Sequence, residues 1–229
     1  MNKIIELKEV WKIYKLGKVD FPALSGANLE INKGEFLAII GPSGSGKSTM
    51  LNSVGALDVP SKGQIFLDNR DIAHLHESDL AQIRGKKIGF IFQSFHLIPS
   101  LSALGNVALP MMFQGINKYE REKRAKELLE SVGLGDKLNN LPGQLSGGQS
   151  QRVAIARALS NNPEVILADE PTGNLDSKTG EDILKLLRDL QKRENKTLIV
   201  VTHDEKISKQ ADRIAYLSDG KVIKVSKNK

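Results

Sequence analysis

The chain has 229 residues, a formal net charge of +6 and no cysteine. Its length suits one large domain or one domain with an inserted lobe, and its 40% hydrophobic content is typical of a globular chain. The composition excludes a disulfide framework and a thiolate metal site, and no apolar run reaches the about 20 residues that cross a bilayer. Charged residues interrupt the first seventeen residues, so no export signal is expected.

The N-terminal segment predicts antiparallel β-structure. Residues 3–34 alternate apolar and polar side chains, as at Ile5 and Leu7. Gly63–Leu67, followed by Asp68-Asn69, predicts another strand and its turn.

Four short apolar segments predict a buried sheet: Phe36–Ile40, Ile88–Phe92, Val165–Ala168 and Leu198–Val201. Each is followed by a glycine turn or by polar residues, a pattern typical of parallel strands covered on both faces. Ligands collect at the carboxyl ends of such strands. The alternation of strands with helical segments therefore predicts an α/β fold.

Between two of these strands, residues 95–160 are mostly helical in pattern, with proline interruptions at Pro99, Pro110 and Pro142. One buried helical face is predicted at Ala125, Leu128, Leu129 and Val132, and a later one at Ile183, Leu186, Leu187 and Leu190. We interpret 95–160 as a helical lobe inserted into a single domain that spans residues 1–229.

The C-terminal segment predicts a hairpin, with strands at Arg213–Leu217 and Lys221–Val225 around the turn Asp219-Gly220. The tail is expected to fray beyond Val225. Its lysines are not interleaved with aromatic residues, so they indicate a solvated surface, and no nucleic-acid partner is expected.

A glycine-rich loop directly follows the strand Phe36–Ile40. It matches G-x-x-x-x-G-K-[ST] at every fixed position, and the helix is predicted to begin near Thr49. Glycines let successive N–H groups face phosphate oxygens, Lys47 supplies a charge for the β- and γ-phosphates, and the Ser48 hydroxyl is a candidate Mg²⁺ ligand. The predicted phosphate-binding residues are Gly41, Ser43, Gly44, Ser45, Gly46, Lys47, Ser48 and Thr49. The guanine-reading pattern N-K-x-D is missing, which favours ATP over GTP.

Polar residues at the ends of three other strands complete a candidate catalytic site. Asp169 suits an outer-shell contact to Mg²⁺, and Glu170 suits a general base for the attacking water. His203 could hold the γ-phosphate or Glu170, although a lone histidine is more often structural. Gln93 could contact both the metal ion and the water.

A second candidate anion site is Leu145-Ser-Gly-Gly-Gln149, which precedes an apolar helix. Ser146 is a plausible N-cap, and Gly147 and Gly148 allow a phosphate to approach the backbone. One subunit cannot easily bring both anion sites to the same phosphates. A head-to-tail pair of subunits can, with Ser146 to Gln149 of one completing the loop of the other.

The sequence resembles the ATP-binding cassette (ABC) family over nearly its whole length. The order of the loop, Gln93, the Leu145–Gln149 signature, Asp169-Glu170 and His203 is that of the family. The resemblance implies that Tyr14 stacks on adenine, that Asp176 belongs to a nucleotide-contacting loop, and that the fold is a phosphate-loop NTPase core. It also implies ATP and Mg²⁺ as cofactors, an ATP-dependent homodimer, and an integral-membrane permease on another chain. The implied location is cytoplasmic, peripheral on the inner face of the membrane.

More narrowly, residues 92–107 resemble the lipoprotein-release and macrolide-export branch, which includes the cell-division transporter ATPase. The alternative is an ABC-type ATPase in a non-transport process, such as DNA or cell-division assembly. Such DNA enzymes usually carry a long coiled coil or a zinc motif between the loop and the signature, and this interval is too short for a long coiled coil. A small-molecule kinase on the same loop would leave the signature unexplained.

Overall fold

The structure is a computed structural model that describes residues 2–17 and 19–228. The described residues form two sheets and a group of helices. The strands are β1 (Lys3–Leu16), β2 (Val19–Asn32), β3 (Phe36–Ile40), β4 (Lys62–Leu67), β5 (Arg70–Asp71), β6 (Ile88–Phe92), β7 (Val165–Asp169), β8 (Thr197–Val201), β9 (Arg213–Ser218) and β10 (Lys221–Lys227). The helices are α1 (Lys47–Val54), α2 (Glu77–Lys87), α3 (Ala103–Phe113), α4 (Lys118–Ser131), α5 (Gly147–Ala158), α6 (Ser177–Glu194) and α7 (Glu205–Ser208).

The central sheet has the strand order β10-β9-β3-β8-β7-β6. Strands β9, β3, β8, β7 and β6 run parallel, and β10 pairs antiparallel with β9 at the edge. All five residues of β8 and four of the five in β3 and β7 are buried, as continuous apolar runs between two layers require. The predicted α/β fold with a parallel sheet is confirmed.

A second, antiparallel sheet has the order β2-β1-β4-β5. Ile5 and Leu7 of β1 are buried, and they pack in one cluster with Leu37 and Ile39 of the central sheet. The alternation in residues 3–34 therefore correctly predicts a half-buried antiparallel sheet.

Helices α3, α4 and α5 pack together between β6 and β7 in the chain. The predicted α4 face is buried at all four positions. Two details of the prediction are wrong. Pro110 lies inside α3 rather than at a break. In α6 the buried face uses Leu184, whereas Leu186 is only partly buried.

The C-terminal hairpin is confirmed, but the expected fraying beyond Val225 is wrong for residues 226–228, and Lys229 lies outside the described residues. Strand β10 continues to Lys227, and the Asn228 side-chain amide donates to the carbonyls of Ser208 and Ala211 at 2.8 and 2.9 Å. These long-range hydrogen bonds hold the end of the strand against α7. None of the described helices is long and apolar enough to cross a bilayer.

Candidate functional site

The glycine-rich loop connects β3 to α1, which begins at Lys47, two residues earlier than predicted. Gly44 and Gly46 have φ angles of 77° and 98°, in the left-handed region that favours glycine. A Cβ at Gly46 would lie 2.4 Å from the Ala23 carbonyl oxygen, and one at Gly41 would lie 2.1 Å from that of Leu217. The loop therefore needs glycine for packing inside the protein as well as for access to a phosphate.

A cavity of about 320 Å³ lies over this loop. Its lining residues are Phe21, Ala23, Ser43, Gly44, Gly46, Lys47, Ser48, Thr49, Asp169, Glu170 and Val201. The structure thus brings both predicted carboxylates to the predicted phosphate loop. Phe21, which is 49% exposed, was not predicted as a site residue. It lies opposite Tyr14 in the antiparallel pairing of β1 with β2, and this register is known only from the folded sheet.

The Lys47 side chain is fixed by hydrogen bonds to the first residues of the glycine-rich loop. Its ammonium group donates to the carbonyl oxygens of Gly41 and Pro42 at 3.0 and 2.9 Å. This places one positive charge beside the backbone N–H groups at the start of α1, where an anion is favoured. The arrangement suits the triphosphate end of a nucleotide.

Asp169 and Glu170 both line the cavity, but they have different partners. Alternation along β7 predicts that they point in opposite directions. The strand instead ends at Asp169, and Glu170 has a φ of 47°, which few residues other than glycine adopt. The left-handed turn therefore explains how two adjacent acids line one cavity.

Burial raises the pKa of Asp169 above its usual value, and a hydrogen bond from the Ser48 hydroxyl opposes this shift. A hydroxyl and a carboxylate are the hard oxygen donors that Mg²⁺ prefers, usually together with water and substrate phosphates. Ser48 and Asp169 therefore fit the metal ion that the fold family implies.

Replacing Asp169 with Asn should raise the thermal unfolding midpoint of the nucleotide-free protein at pH 7. Because the folded pKa is raised, the ionised carboxylate destabilises the fold once the pH exceeds the usual value of 3.8. The gain should be present at neutral pH, shrink as the pH falls through the raised folded pKa, and vanish below 3.8, where both states hold the proton. The control is Asp136→Asn, because the Lys137 hydrogen bond lowers the pKa of Asp136 and its loss cannot stabilise the fold. A neutral-pH midpoint no higher than the parent's would contradict the prediction.

Glu170 is held by residues that follow β8. One carboxylate oxygen lies 2.7 Å from Nδ1 of His203, and the other accepts a hydrogen bond from the Thr202 hydroxyl at 3.3 Å. The Glu170 side chain is 18% exposed, whereas that of His203 is 76% exposed. The structure thus brings His203 to Glu170, with its outer surface open to a ligand or a second subunit.

The structure does not place Gln93 in the wall of the phosphate-loop cavity. Its side-chain amide donates to the side-chain oxygen of Asn174 at 3.2 Å, and the Asn174 amide donates back to the Gln93 carbonyl at 3.0 Å. Gln93 is therefore tied to the segment before α6 in this structure.

The signature residues form the start of α5. The Ser146 hydroxyl accepts from the Gln149 N–H at 3.3 Å, and the Gln149 side chain accepts from the Ser146 N–H at 2.9 Å. This capping box confirms the predicted N-cap and gives Gln149 a structural contact. A Cβ at Gly148 would lie 2.4 Å from the Thr179 methyl group, so this glycine is also needed for packing against α6.

Neither the signature nor Asp176 lines the phosphate-loop cavity of its own chain. Asp176 caps α6 by accepting hydrogen bonds from the N–H and the hydroxyl of Thr179 at 3.0 and 2.6 Å. The start of α5 and the start of α6 thus form a second polar region, separate from the phosphate-loop cavity.

Tyr14 lies on β1, and its hydroxyl donates to Asp58 at 2.8 Å. Burial raises the pKa of Tyr14, the Asp58 hydrogen bond raises it further, and a hydrogen bond with Thr49 opposes the shift. Tyr14 therefore remains a protonated donor at neutral pH, beside the first turn of α1.

The fold and the site together define a phosphate-loop ATPase with a separate signature helix. The chain belongs to the ABC transporter family, whose model matches residues 24–173. It is an ATP-binding and ATP-hydrolysing subunit of an ABC transporter.

The chain is 54% identical over 222 residues to an uncharacterized ABC transporter ATP-binding protein of Thermotoga maritima, covering 97% of this chain and 94% of that protein. It is 50% identical over 219 residues to the macrolide export ATP-binding/permease protein MacB of Wolinella succinogenes, covering 96% of this chain but 34% of MacB. A solved structure of the ATP-binding cassette MJ0796, a dimer in a post-hydrolysis state bound to ADP and Pi, matches with a TM-score of 0.91 and 51% identity. That match covers 98% of this chain and 99% of the MJ0796 chain.

Proposed function

We propose that two copies of this chain bind ATP and Mg²⁺ between them and drive a separate membrane permease of the macrolide-export and lipoprotein-release type. In each site, the Gly41–Thr49 loop of one copy would hold the phosphates, and Ser146, Gly147 and Gly148 of the other would close over them. Bound Mg²⁺ would neutralise charge on the β- and γ-phosphates, held by Ser48 and Asp169.

One observation supports an ATP site that is shared between two copies. The signature forms a capped helix start with an exposed Ser146, yet it lies outside the phosphate-loop cavity of its own chain. An exposed helix N-terminus with adjacent glycines favours an anion. ATP bound to a second copy would supply that anion, and the solved MJ0796 structure is likewise a dimer.

Within each site, Glu170 would accept a proton from the attacking water, and His203 would keep its carboxylate in position. Gln93 would leave Asn174 to reach the metal ion and the water. Tyr14 would stack on the adenine, and Asp176 would lie at the contact between the copies. The chain would work at the inner face of the cell membrane.

The permease would dock in a groove between α2 and α3. The groove consists of two cavities, of about 410 and 400 Å³, that share the residues Arg84, Gly85, Pro110 and Asn161. Asn161 ties its two sides together by donating to the carbonyls of Gly85 and Pro110 at 2.7 and 3.3 Å. Leu57, 46% exposed, and Phe113, 75% exposed, supply an apolar edge.

The charge of the groove indicates the chemistry of the docking segment. Its lining includes Arg84, which already pairs with Glu77, and Arg157, and it includes no acidic residue. Burial lowers the pKa of Arg157, and among the described residues no carboxylate pairs with it. An apolar segment with a carboxylate would complement this surface.

A matched pair of variants at Leu57 tests this docking. Leu57→Glu should reduce the amount of integral-membrane protein that co-purifies with the tagged chain from its native cells about tenfold or more, because it adds repulsion to the loss of apolar contact. Leu57→Lys loses the same contact without that repulsion and should retain more of the protein. Quantitative mass spectrometry supplies the measurement, with Ile223→Glu on β10 as a control. Unchanged recovery in both Leu57 variants would exclude this groove, and equal losses would exclude an acidic partner.

A further inference from the structure

We infer that Asp58 and Lys12 are positioning residues for the nucleotide base, because they hold the ring of Tyr14 in one orientation. This inference rests on the proposed contact between Tyr14 and the base. It adds two residues, neither of which lines the phosphate-loop cavity, to the determinants of ATP affinity.

The three side chains form one connected cluster. Asp58 accepts the Tyr14 hydroxyl with one carboxylate oxygen and pairs with the Lys12 ammonium group through the other. Lys12 also donates to the Val59 carbonyl at 2.8 Å. The side chains of Lys12 and Asp58 are only 12% and 27% exposed, so their geometry is better defined than that of a solvated surface pair.

Lys12 also covers one face of the Tyr14 ring, which leaves the other face for stacking with a base. Its nitrogen lies 5.2 Å from the centroid of the Tyr14 ring, within cation–π distance. A base can therefore stack only on the opposite face. The hydroxyl bond to Asp58 fixes the tip of the ring, and the lysine covers one side of it.

The cluster connects this ring to the phosphate loop. Asp58 follows α1, the helix that begins in the loop, and the turn between them is held by N–H groups of Leu57 and Asp58 that donate to the Asn52 carbonyl. Ser61 then binds β1, accepting the Ile13 N–H at 2.9 Å. The distance between the phosphate-binding residues and the base-binding ring is thus set by one connected piece of structure.

A ring held in place before binding loses less rotational freedom when ATP arrives. Immobilising a free side chain costs enough to weaken binding by about 3- to 10-fold. Asp58→Asn retains an acceptor for Tyr14 but loses the ion pair with Lys12, and Tyr14→Phe retains the ring but loses its anchor. Each should raise the KM for ATP by about 3- to 10-fold and leave kcat within about twofold.

Three comparisons distinguish positioning from general damage to the fold. The affinity for inorganic tripolyphosphate, measured by calorimetry, should not change, because this probe has no base. In a Tyr14→Ala background, Asp58→Asn should have no further effect on the KM for ATP. The matched control is Glu6→Gln, which also removes an ion-paired carboxylate but on β1, away from Tyr14. Its KM for ATP should equal that of the parent.

The outcomes separate this inference from the proposed base contact. If Tyr14→Ala leaves the KM for ATP unchanged, both the base contact and the positioning role are wrong. If Tyr14→Ala raises KM but Asp58→Asn does not, only the positioning role is wrong. An equal loss of tripolyphosphate affinity in Asp58→Asn would show that Asp58 supports the loop instead.

Discussion

Glu170→Gln should lower ATP hydrolysis by about 10²- to 10⁴-fold, the usual contribution of a general base. Glutamine has nearly the same shape and can keep the contacts with His203 and Thr202. It cannot accept the proton of the attacking water at neutral pH. Binding of ATP should therefore survive, and the doubly loaded dimer should accumulate because its phosphate bridge is no longer removed.

Phosphate release measures the first effect, and light scattering after size-exclusion chromatography with ATP and Mg²⁺ measures the second. Glu122→Gln, on an exposed face of α4, is the matched control and should hydrolyse ATP at the parent rate. Turnover of Glu170→Gln at the parent rate would remove Glu170 from the role of base. A Glu170→Gln protein that stays monomeric with saturating ATP would contradict the shared site.

Mixing two inactive variants should restore hydrolysis if each site combines residues from both copies. Lys47→Ala removes the charge of the loop, and Ser146→Asp places a negative charge at the signature while preserving an N-cap. Each variant alone has two defective sites. A mixed dimer collects both changes in one site and leaves the other intact, so an equal mixture should regain about a quarter of the parent rate.

The charge at Ser146 has its own control. Ser146→Asn caps α5 as well as Asp does but carries no charge, so it should retain much more ATP-dependent dimer than Ser146→Asp. For the loop, the control is Lys86→Ala, which changes an exposed lysine of α2. No recovery of hydrolysis in the mixture, despite mixed dimers detected by two affinity tags, would mean that each copy hydrolyses ATP within itself.

The phosphate loop, the two acids and their order along the chain could be predicted from sequence because the signals for them are local. The apolar run of β3 and the glycines of the loop occupy consecutive positions, and so do β7 and its two acids. The capping box between Ser146 and Gln149 spans one helical turn, so its donors and acceptors could be predicted from spacing alone.

Contacts between distant segments could not be predicted in this way. The bond of Gln93 to Asn174 and the cluster of Lys12, Tyr14 and Asp58 join residues far apart in the chain. Likewise, no local pattern indicates that the methyl group of Thr179 fills the space beside Gly148.

The sequence by itself therefore determined the class of fold, the phosphate loop, the signature helix and the acids at the strand ends. Only the tertiary structure decided that Phe21 lines the phosphate-loop cavity and that the Gln93 side chain bonds to Asn174 outside it. The physical reason is that hydrophobic periodicity and capping act within a few neighbouring residues. The relative placement of strand ends and helix starts instead depends on how whole layers pack against each other.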